Sequence, residues 1–287
     1  EQHDEPGGMM VQGIPEFRLP REVVRREIEQ IRRTGVDIQC GVKVGTTKHL
    51  RELAESHDAV VVAAGTMRSD VPDLPGVSLA GVLAGLPFLQ RANGGERVEV
   101  GRRVLVIGGG FTAVDCARMA RRLGAESVRM CYRRTEQEMY ITPGEVEEMR
   151  HEGIAFDQQV MPVEFAGDAE GRLNRVTMVR TEPGEALADG RRGFRAAVGS
   201  EFTVEADTVL LATGQKRDTG WLKELESLVV APGRHGRHHT ESEKIFLAGD
   251  FLDGAGSLIE AVASGKACAR AIDRFLIGQT RVKELGW

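Results

Sequence analysis

Only four cysteines occur in the 287 residues, Cys40, Cys116, Cys131 and Cys268, and no two are spaced as C-x-x-C. That spacing excludes a thioredoxin-like redox pair, a zinc ribbon and a local iron–sulfur cluster within these residues, and no metal site is expected. Each thiol stands in an apolar or mixed run, where a buried free cysteine is the expectation. Such usage points to a reducing, cytoplasmic setting. No run of about eighteen apolar residues occurs, so no membrane span is expected. No signal peptide is visible, and the chain opens on Glu1 rather than on a methionine. A dominant charge is also missing. The 38 basic and 43 acidic residues leave a net charge of −5, which argues against nucleic acid or an anionic membrane as partner. Arginine far outnumbers lysine along the whole chain, a trait of composition rather than of a binding patch.

What the chain does have is apolar content for a core, 41% against 28% charged, and 35 glycines. The glycines cluster directly before or after apolar runs, the punctuation of strand–turn–helix units. Helical and strand patterns alternate, so the fold class is α/β with parallel sheets. A helix is expected over 20–34, opened by Pro20 and closed by Gly35, with Val24, Ile28 and Ile31 on one face. Short strands are expected over 42–44 and 57–63, the second with both faces covered. The proline-rich stretch 67–100 reads as a connection between domains. A strand over 103–107, a turn over 108–110, a helix over 111–123 and a strand over 127–132 follow. Thr142-Pro143-Gly144-Glu145 reads as a capping box opening a helix to about His151. Residues 155–205 read as an antiparallel excursion, and 207–211 as a buried strand. Its sequel Ala212-Thr213-Gly214 echoes Ala64-Gly65-Thr66 after the earlier valine run, which suggests two similar nucleotide-binding domains.

The segment Val104 to Ala113 is G-x-G-x-x-A between a strand and a helix. Gly108 allows the tight turn, Gly110 lets the backbone approach a diphosphate, and Ala113 lets the helix pack on the sheet. The amides and dipole of the helix start, around Thr112, then attract the diphosphate. An NAD site would place an acid where the second strand ends. Here stand Arg133 and Arg134, which cannot accept from a ribose hydroxyl but pair with a 2′-phosphate, so NADP(H) is the expected coenzyme. A second constellation is Ala248-Gly249-Asp250, a strand end at which Asp250 could accept from a flavin ribityl hydroxyl. Ser257 to Glu260 reads as the capping box of the following helix, whose dipole suits a reduced flavin ring.

Together with Glu5-Pro6-Gly7-Gly8-Met9-Met10, the run Gly13-Ile14-Pro15-Glu16-Phe17-Arg18-Leu19-Pro20, Asp115-Cys116-Ala117 and Tyr132-Arg133-Arg134-Thr135, these residues give the chain its resemblance. Over nearly its whole length it resembles the small (β) subunit of NADPH-dependent glutamate synthase and its relatives. Those include the ferredoxin–NADP oxidoreductase large subunit and the flavin/NADPH region of dihydropyrimidine dehydrogenase. The resemblance implies two Rossmann-like domains, one for FAD over 1–88 and 218–287, and an inserted NADP domain over 89–217. It implies that Glu1 binds the FAD adenosine ribose and that Gly7, Gly8, Met9 and Met10 run along the flavin. Val44 would meet the adenine, and Ala64, Gly65 and Thr66 the diphosphate side. Gly249 and Asp250 would bind the ribityl chain, with Ser257, Ile259 and Ala261 beside the ring. Gly108, Gly110, Thr112, Ala113, Arg133 and Arg134 would form the NADPH site, with Ala212, Thr213 and Gly214 nearby. The family's first βαβ unit, with its FAD fingerprint, does not occur before Glu1, so a partial FAD domain of a longer protein is expected. The implied activity is that of an NAD(P)H-dependent flavin oxidoreductase passing hydride from NADPH to FAD. Electrons would continue to iron–sulfur centres of a partner or a large catalytic subunit, in a homo- or hetero-oligomer. No catalytic side chain is required. The alternatives are a non-catalytic nucleotide-binding module of a larger redox complex and a thioredoxin-reductase-like enzyme, which the lack of a cysteine pair disfavours.

Overall fold

The computed structural model describes residues 1–186, 192–222, 232–233 and 236–284. In chain order the elements are α1 (Met9–Gln12), α2 (Arg21–Arg33), α3 (Leu50–Ser56), β1 (Val60–Val62), β2 (Arg68–Ser69), β3 (Val82–Ala84) and α4 (Gly85–Asn93). Then come β4 (Arg103–Ile107), α5 (Phe111–Arg122), β5 (Ser127–Tyr132), α6 (Glu145–His151), β6 (Ala155–Gln158), β7 (Val160–Gly167), β8 (Leu173–Ala186), β9 (Arg192–Ala196), β10 (Phe202–Glu205) and β11 (Thr208–Leu211). The chain continues through β12 (Gln215–Lys216), β13 (Pro232–Gly233), β14 (Gly236–Thr240), β15 (Ile245–Leu247), α7 (Asp250–Asp253) and α8 (Leu258–Glu284). Packing divides these into two units. One comprises Glu1–Gly8, Arg26–Arg68 and the residues from Gln215 on; the other, inserted unit comprises Met9–Arg25 and Ser69–Gly214. The sequence suggests divisions at 88 and 217; packing divides the chain after Gly8, Arg25, Arg68 and Gly214.

The inserted unit is built on five parallel strands in the order β3-β11-β4-β5-β6. Valine, leucine and isoleucine fill the middle strands because both faces of a parallel sheet are covered. The period-2 alternation sorts them. Val104, Val106, Val128, Met130 and Leu210 face one core with Ala113, Val114, Ala117 and Ala120 of α5 and Phe88 of α4. Leu105, Ile107, Cys131, Val209 and Leu211 face the other, against Val160, Phe165, Val176 and Met178 of the antiparallel excursion. Helices therefore cover one face and a β-ribbon the other. Each large side chain so buried contributes about 1.5–3 kcal/mol. The excursion itself has β8 in the middle, with β7 and β10 beside its first half and β9 beside its second.

Three expectations fail here. The stretch 67–100 is no mere connection, because β3 and α4 belong to the sheet unit. Residues 155–158 are its fifth parallel strand, so the excursion begins only at β7. The start of α6 also differs from the expected capping box. Its N-cap is Gly144 at φ 93°, with no side-chain cap. Glu145, which would have completed the box, instead pairs with Arg18.

That arginine ties the segment before α2 to α5. It also pairs at 2.9 Å with Asp115 of α5, and its guanidinium lies 5.6 Å from the Phe111 ring. Asp115 is 4% exposed. Burial pushes its carboxyl up to about 6, against the pull of Arg18 and Arg118 and with a further push from Glu145. The folded value lies above the unfolded one, so the stability that this group contributes is greatest at low pH and is lost as pH rises from about 4 to about 6. Relative to Asp115→Asn, the natural protein is expected to lose up to about 3 kcal/mol between pH 4 and pH 7. Urea unfolding of both proteins across that range checks it. Parallel curves would mean that Arg18 keeps the carboxylate ionised throughout.

In the other unit, β1 pairs parallel with β15, and β14 pairs antiparallel with β15 and β13. Leu50, Val62, Leu222, Ile245, Leu247 and Phe251 form one core. Phe246, Cys268, Ala271 and Phe275 form the second, under α8. The strand expected over 57–63 is shorter, and its second face is open, Val61 being 43% exposed. The strand expected over 42–44 does not form; Val44 makes only an isolated bridge with Lys48 around a Gly45 turn. Three of the four thiols are buried as expected, while Cys40 is half-buried. No helix among the described residues is long and apolar enough to cross a membrane.

Candidate functional site

Adjacent parallel strands end at a common edge, and this places the glycines. The register sets Leu211 beside Ile107 and Ile107 beside Cys131. The Gly108 amide donates to the Cys131 carbonyl at 3.0 Å, and the Ala212 amide to the Ile107 carbonyl at 2.8 Å. The carboxyl edge of β11, β4 and β5 thus carries Ala212-Thr213-Gly214, Gly108-Gly109-Gly110 and Tyr132-Arg133-Arg134 side by side. The chain order reverses at β4, with β11 on one side and β5 on the other, and open α/β sheets bind their ligands at such a switch point.

The three glycines answer different demands. Gly108 sits at φ 155°, and a Cβ there would overlap the Ala212 carbonyl oxygen and press on Ala113. At Gly109 a Cβ would enter the Tyr132 ring. At Gly110 nothing lies within 4 Å of that position. Gly110 is the N-cap of α5 and brings no side-chain cap to the first-turn amides. A helix start left open in this way favours an anion. Ala113, fully buried, lets α5 approach the sheet, and Thr112 stands in the first turn. Thr213 donates its hydroxyl to the Asp70 carbonyl, and the Asp70 amide donates to the Gly214 carbonyl, closing the loop after β11. Tyr140 is bridged by its backbone to Gly110 and is 60% exposed, its ring edge-on to Phe111 at 6.4 Å.

The two arginines differ. Arg134 is 7% exposed and donates through Nε to the Arg192 carbonyl at 2.8 Å. Arg133 is half-buried. Both guanidinium groups lie on the ring of Phe194, at 4.4 and 5.4 Å from its centroid. Nothing in the sequence signals Phe194. It stands in a weakly patterned stretch sixty residues on from the arginines, and only the fold brings the two together.

In the other unit the ends of β1 and β15 adjoin, the Ala248 amide donating to the Val62 carbonyl at 3.1 Å. This places Ala64, Gly65 and Thr66 beside Gly249 and Asp250. Thr66 is buried, and its hydroxyl donates to Gln215. Gly249 caps α7 at φ 61°, and its amide donates to the Ser264 hydroxyl. Asp250 opens α7; burial raises its carboxyl pKa, and the Gly256 amide opposes this. The expected capping box of α8 is present, with the Ser257 amide and hydroxyl both donating to Glu260 at 2.7 Å. Ile259 is 77% exposed and Ala261 half-buried beside it. Glu1 is exposed; its amino group donates to the Gln39 carbonyl and its carboxylate accepts from the His3 amide. Gly7 and Gly8 take φ values of 134° and 52°. Met9 and Met10 open α1 and belong to the inserted unit, apart from Gly7 and Gly8.

Residues 9–265 match the family model of pyridine nucleotide-disulphide oxidoreductases. The chain is 36% identical, over 96% of its own length and 62% of the relative's, to a glutamate synthase [NADPH] small chain of Escherichia coli. It is 34% identical, over 94% of its length and 44% of the relative's, to an NADPH-Fe(3+) oxidoreductase subunit beta of Geobacter sulfurreducens. The chain thus spans less than two thirds of the length of these curated relatives. Among solved structures, FprA from Mycobacterium tuberculosis superposes with a TM-score of 0.82 at 18% identity, covering 99% of this chain and 78% of that one. That likeness establishes the fold.

Proposed function

The chain belongs to the pyridine nucleotide-disulphide oxidoreductase family, and from that premise we propose that it is the NADPH- and FAD-binding part of a larger electron-transfer enzyme. The observation that carries this reading is the shared carboxyl edge, where an uncapped glycine helix start adjoins the two arginines that follow β5. The residues fit a dinucleotide. Gly110 leaves open the space that a Cβ would take, whereas a Cβ would meet the Ala212 carbonyl at Gly108 and the Tyr132 ring at Gly109. In this reading Gly108, Gly110, Thr112 and Ala113 hold the diphosphate, Arg133 and Arg134 the 2′-phosphate, and Ala212, Thr213 and Gly214 the neighbouring edge. In the other unit Glu1, Gly7, Gly8, Val44, Ala64, Gly65, Thr66, Gly249 and Asp250 would hold FAD. Ser257, Ile259 and Ala261 would face its ring. An exposed isoleucine beside a capped helix start suits a planar apolar ring that gains negative charge.

When bound, the pair of cofactors supplies hydride transfer from nicotinamide to flavin. The chain's own part is positioning: the helix starts orient charge, and the arginines select the coenzyme. No side chain need carry a proton. Disulfide exchange is the weaker reading, because burial drives the Cys131 thiol up to about 12 and Cys116 above its usual range, away from a reactive thiolate. The relatives' names, a small chain and a subunit beta, support a partner subunit. An iron–sulfur protein or large catalytic subunit as that partner, and a cytoplasmic setting, complete the proposal.

Under anaerobic conditions, NADPH is expected to bleach the visible flavin absorption of the purified protein, and NADH to do so far more slowly. Bleaching by NADH alone would overturn the coenzyme assignment. A protein that binds NADPH but retains no flavin would support a nucleotide-binding module without turnover of its own.

A further inference from the structure

We propose that the antiparallel excursion is a specificity device, and that Phe194 is the positioning residue that presents Arg133 and Arg134 to the 2′-phosphate. The proposal rests on the NADPH reading and deepens it. The excursion is tied to the arginine turn at successive points. Thr181 of β8 donates its hydroxyl to the Arg133 carbonyl at 2.7 Å. Gln159, between β6 and β7, donates its amide to the Arg134 carbonyl at 3.1 Å and accepts from the Thr181 amide at 2.8 Å. Arg134 reaches back to the Arg192 carbonyl of β9. Gln159 holds a positive φ of 57°, unusual for a residue with a side chain, and it does so at the junction of these ties.

Phe194, also on β9, completes the arrangement. Two adjacent like charges repel, and long side chains lose rotamer freedom when a ligand fixes them. One aromatic ring, its centroid 4.4 and 5.4 Å from the two guanidinium carbons, offsets the first and removes much of the second in advance. A ring and a carbonyl supply these contacts without adding negative charge. The helical face of the sheet cannot do this, because β9 reaches the turn only from the excursion side. The ribbon that covers one core therefore also sets the coenzyme preference.

The test is isothermal titration of the full chain with adenosine 2′,5′-bisphosphate and with 5′-AMP, which needs no turnover. Phe194→Leu is expected to weaken the bisphosphate by roughly three- to tenfold and to leave 5′-AMP unchanged. Phe194→Tyr should restore the natural value. Thr181→Val, which deletes only the tie to Arg133, should give the same selective loss and covers the case in which Phe194→Leu does not fold. Natural affinity in both Phe194→Leu and Thr181→Val, or equal weakening of both ligands, would overturn the role of the excursion. Failure of the underlying reading looks different: the natural protein would then bind the two ligands alike, and Arg133→Ala would change neither.

Discussion

Gly108→Ala is expected to weaken NADPH binding by more than about a hundredfold and to destabilise the inserted unit by roughly 2–5 kcal/mol. The new methyl group would meet the Ala212 carbonyl, which is backbone fixed by its own strand and unable to yield. The positive φ adds strain for any residue with a Cβ. Gly110→Ala makes the informative contrast. Its φ of −112° suits any residue, and its Cβ would meet no atom of the protein. Stability should therefore stay within about 0.5 kcal/mol, while NADPH affinity falls by at least about tenfold because the methyl group takes the diphosphate's place. Thermal unfolding and coenzyme titration of the two variants separate the effects. A Gly110→Ala protein that binds NADPH normally would move the diphosphate away from α5.

Removing both arginines is expected to lower the preference for NADPH over NADH by roughly a hundred- to a ten-thousandfold, since each charge-assisted contact is worth about 1.5–3 kcal/mol. The Michaelis constant for NADH should hardly move. The two single variants should differ. Arg134 is buried and tied to β9, so Arg134→Ala should also cost about 1–2 kcal/mol of stability. Arg133 is half-buried, and its replacement should act chiefly on the coenzyme. The preference should also weaken with added salt, since paired charges at a surface are screened. Equal losses for NADPH and NADH would contradict the assignment.

The parts of this site that lie on strong local patterns were legible in the residues. β4 and β5 match the expected strands because each is a short apolar-rich run, the first stopped by Gly108 and the second set off from its helix by Gly124. The helix α5 follows from its small face, and α8 from its capping box. Elsewhere tertiary packing overrode the local signal. Prolines at 72, 75 and 87 suggested a connection, yet Val82–Ala84 is apolar enough to serve as an edge strand. Glu145 looked like a capping residue, but Arg18, distant in sequence, offers its carboxylate a stronger partner. Val42–Val44 has the composition of a strand, yet among the described residues Val44 makes only an isolated bridge, with Lys48. Phe194 illustrates the general limit. A residue that acts by supporting another from sixty positions away leaves no periodic trace.

The arrangement also explains why the excursion lies on one face only. A parallel sheet needs cover on both sides, and α4, α5 and α6 supply one. The ribbon on the other side contributes Val160, Phe165, Val176 and Met178 to the core while its far strand reaches the arginine turn. Burial and coenzyme choice are thus served by the same strands.

A crystal structure of the full chain with NADP+ bound puts the central proposal to its most direct test. The account predicts the diphosphate over Gly110 and the first turn of α5, with the 2′-phosphate against the guanidinium of Arg133. A coenzyme whose 2′-phosphate faces solvent, or whose diphosphate lies off the carboxyl edge of β4, would contradict it.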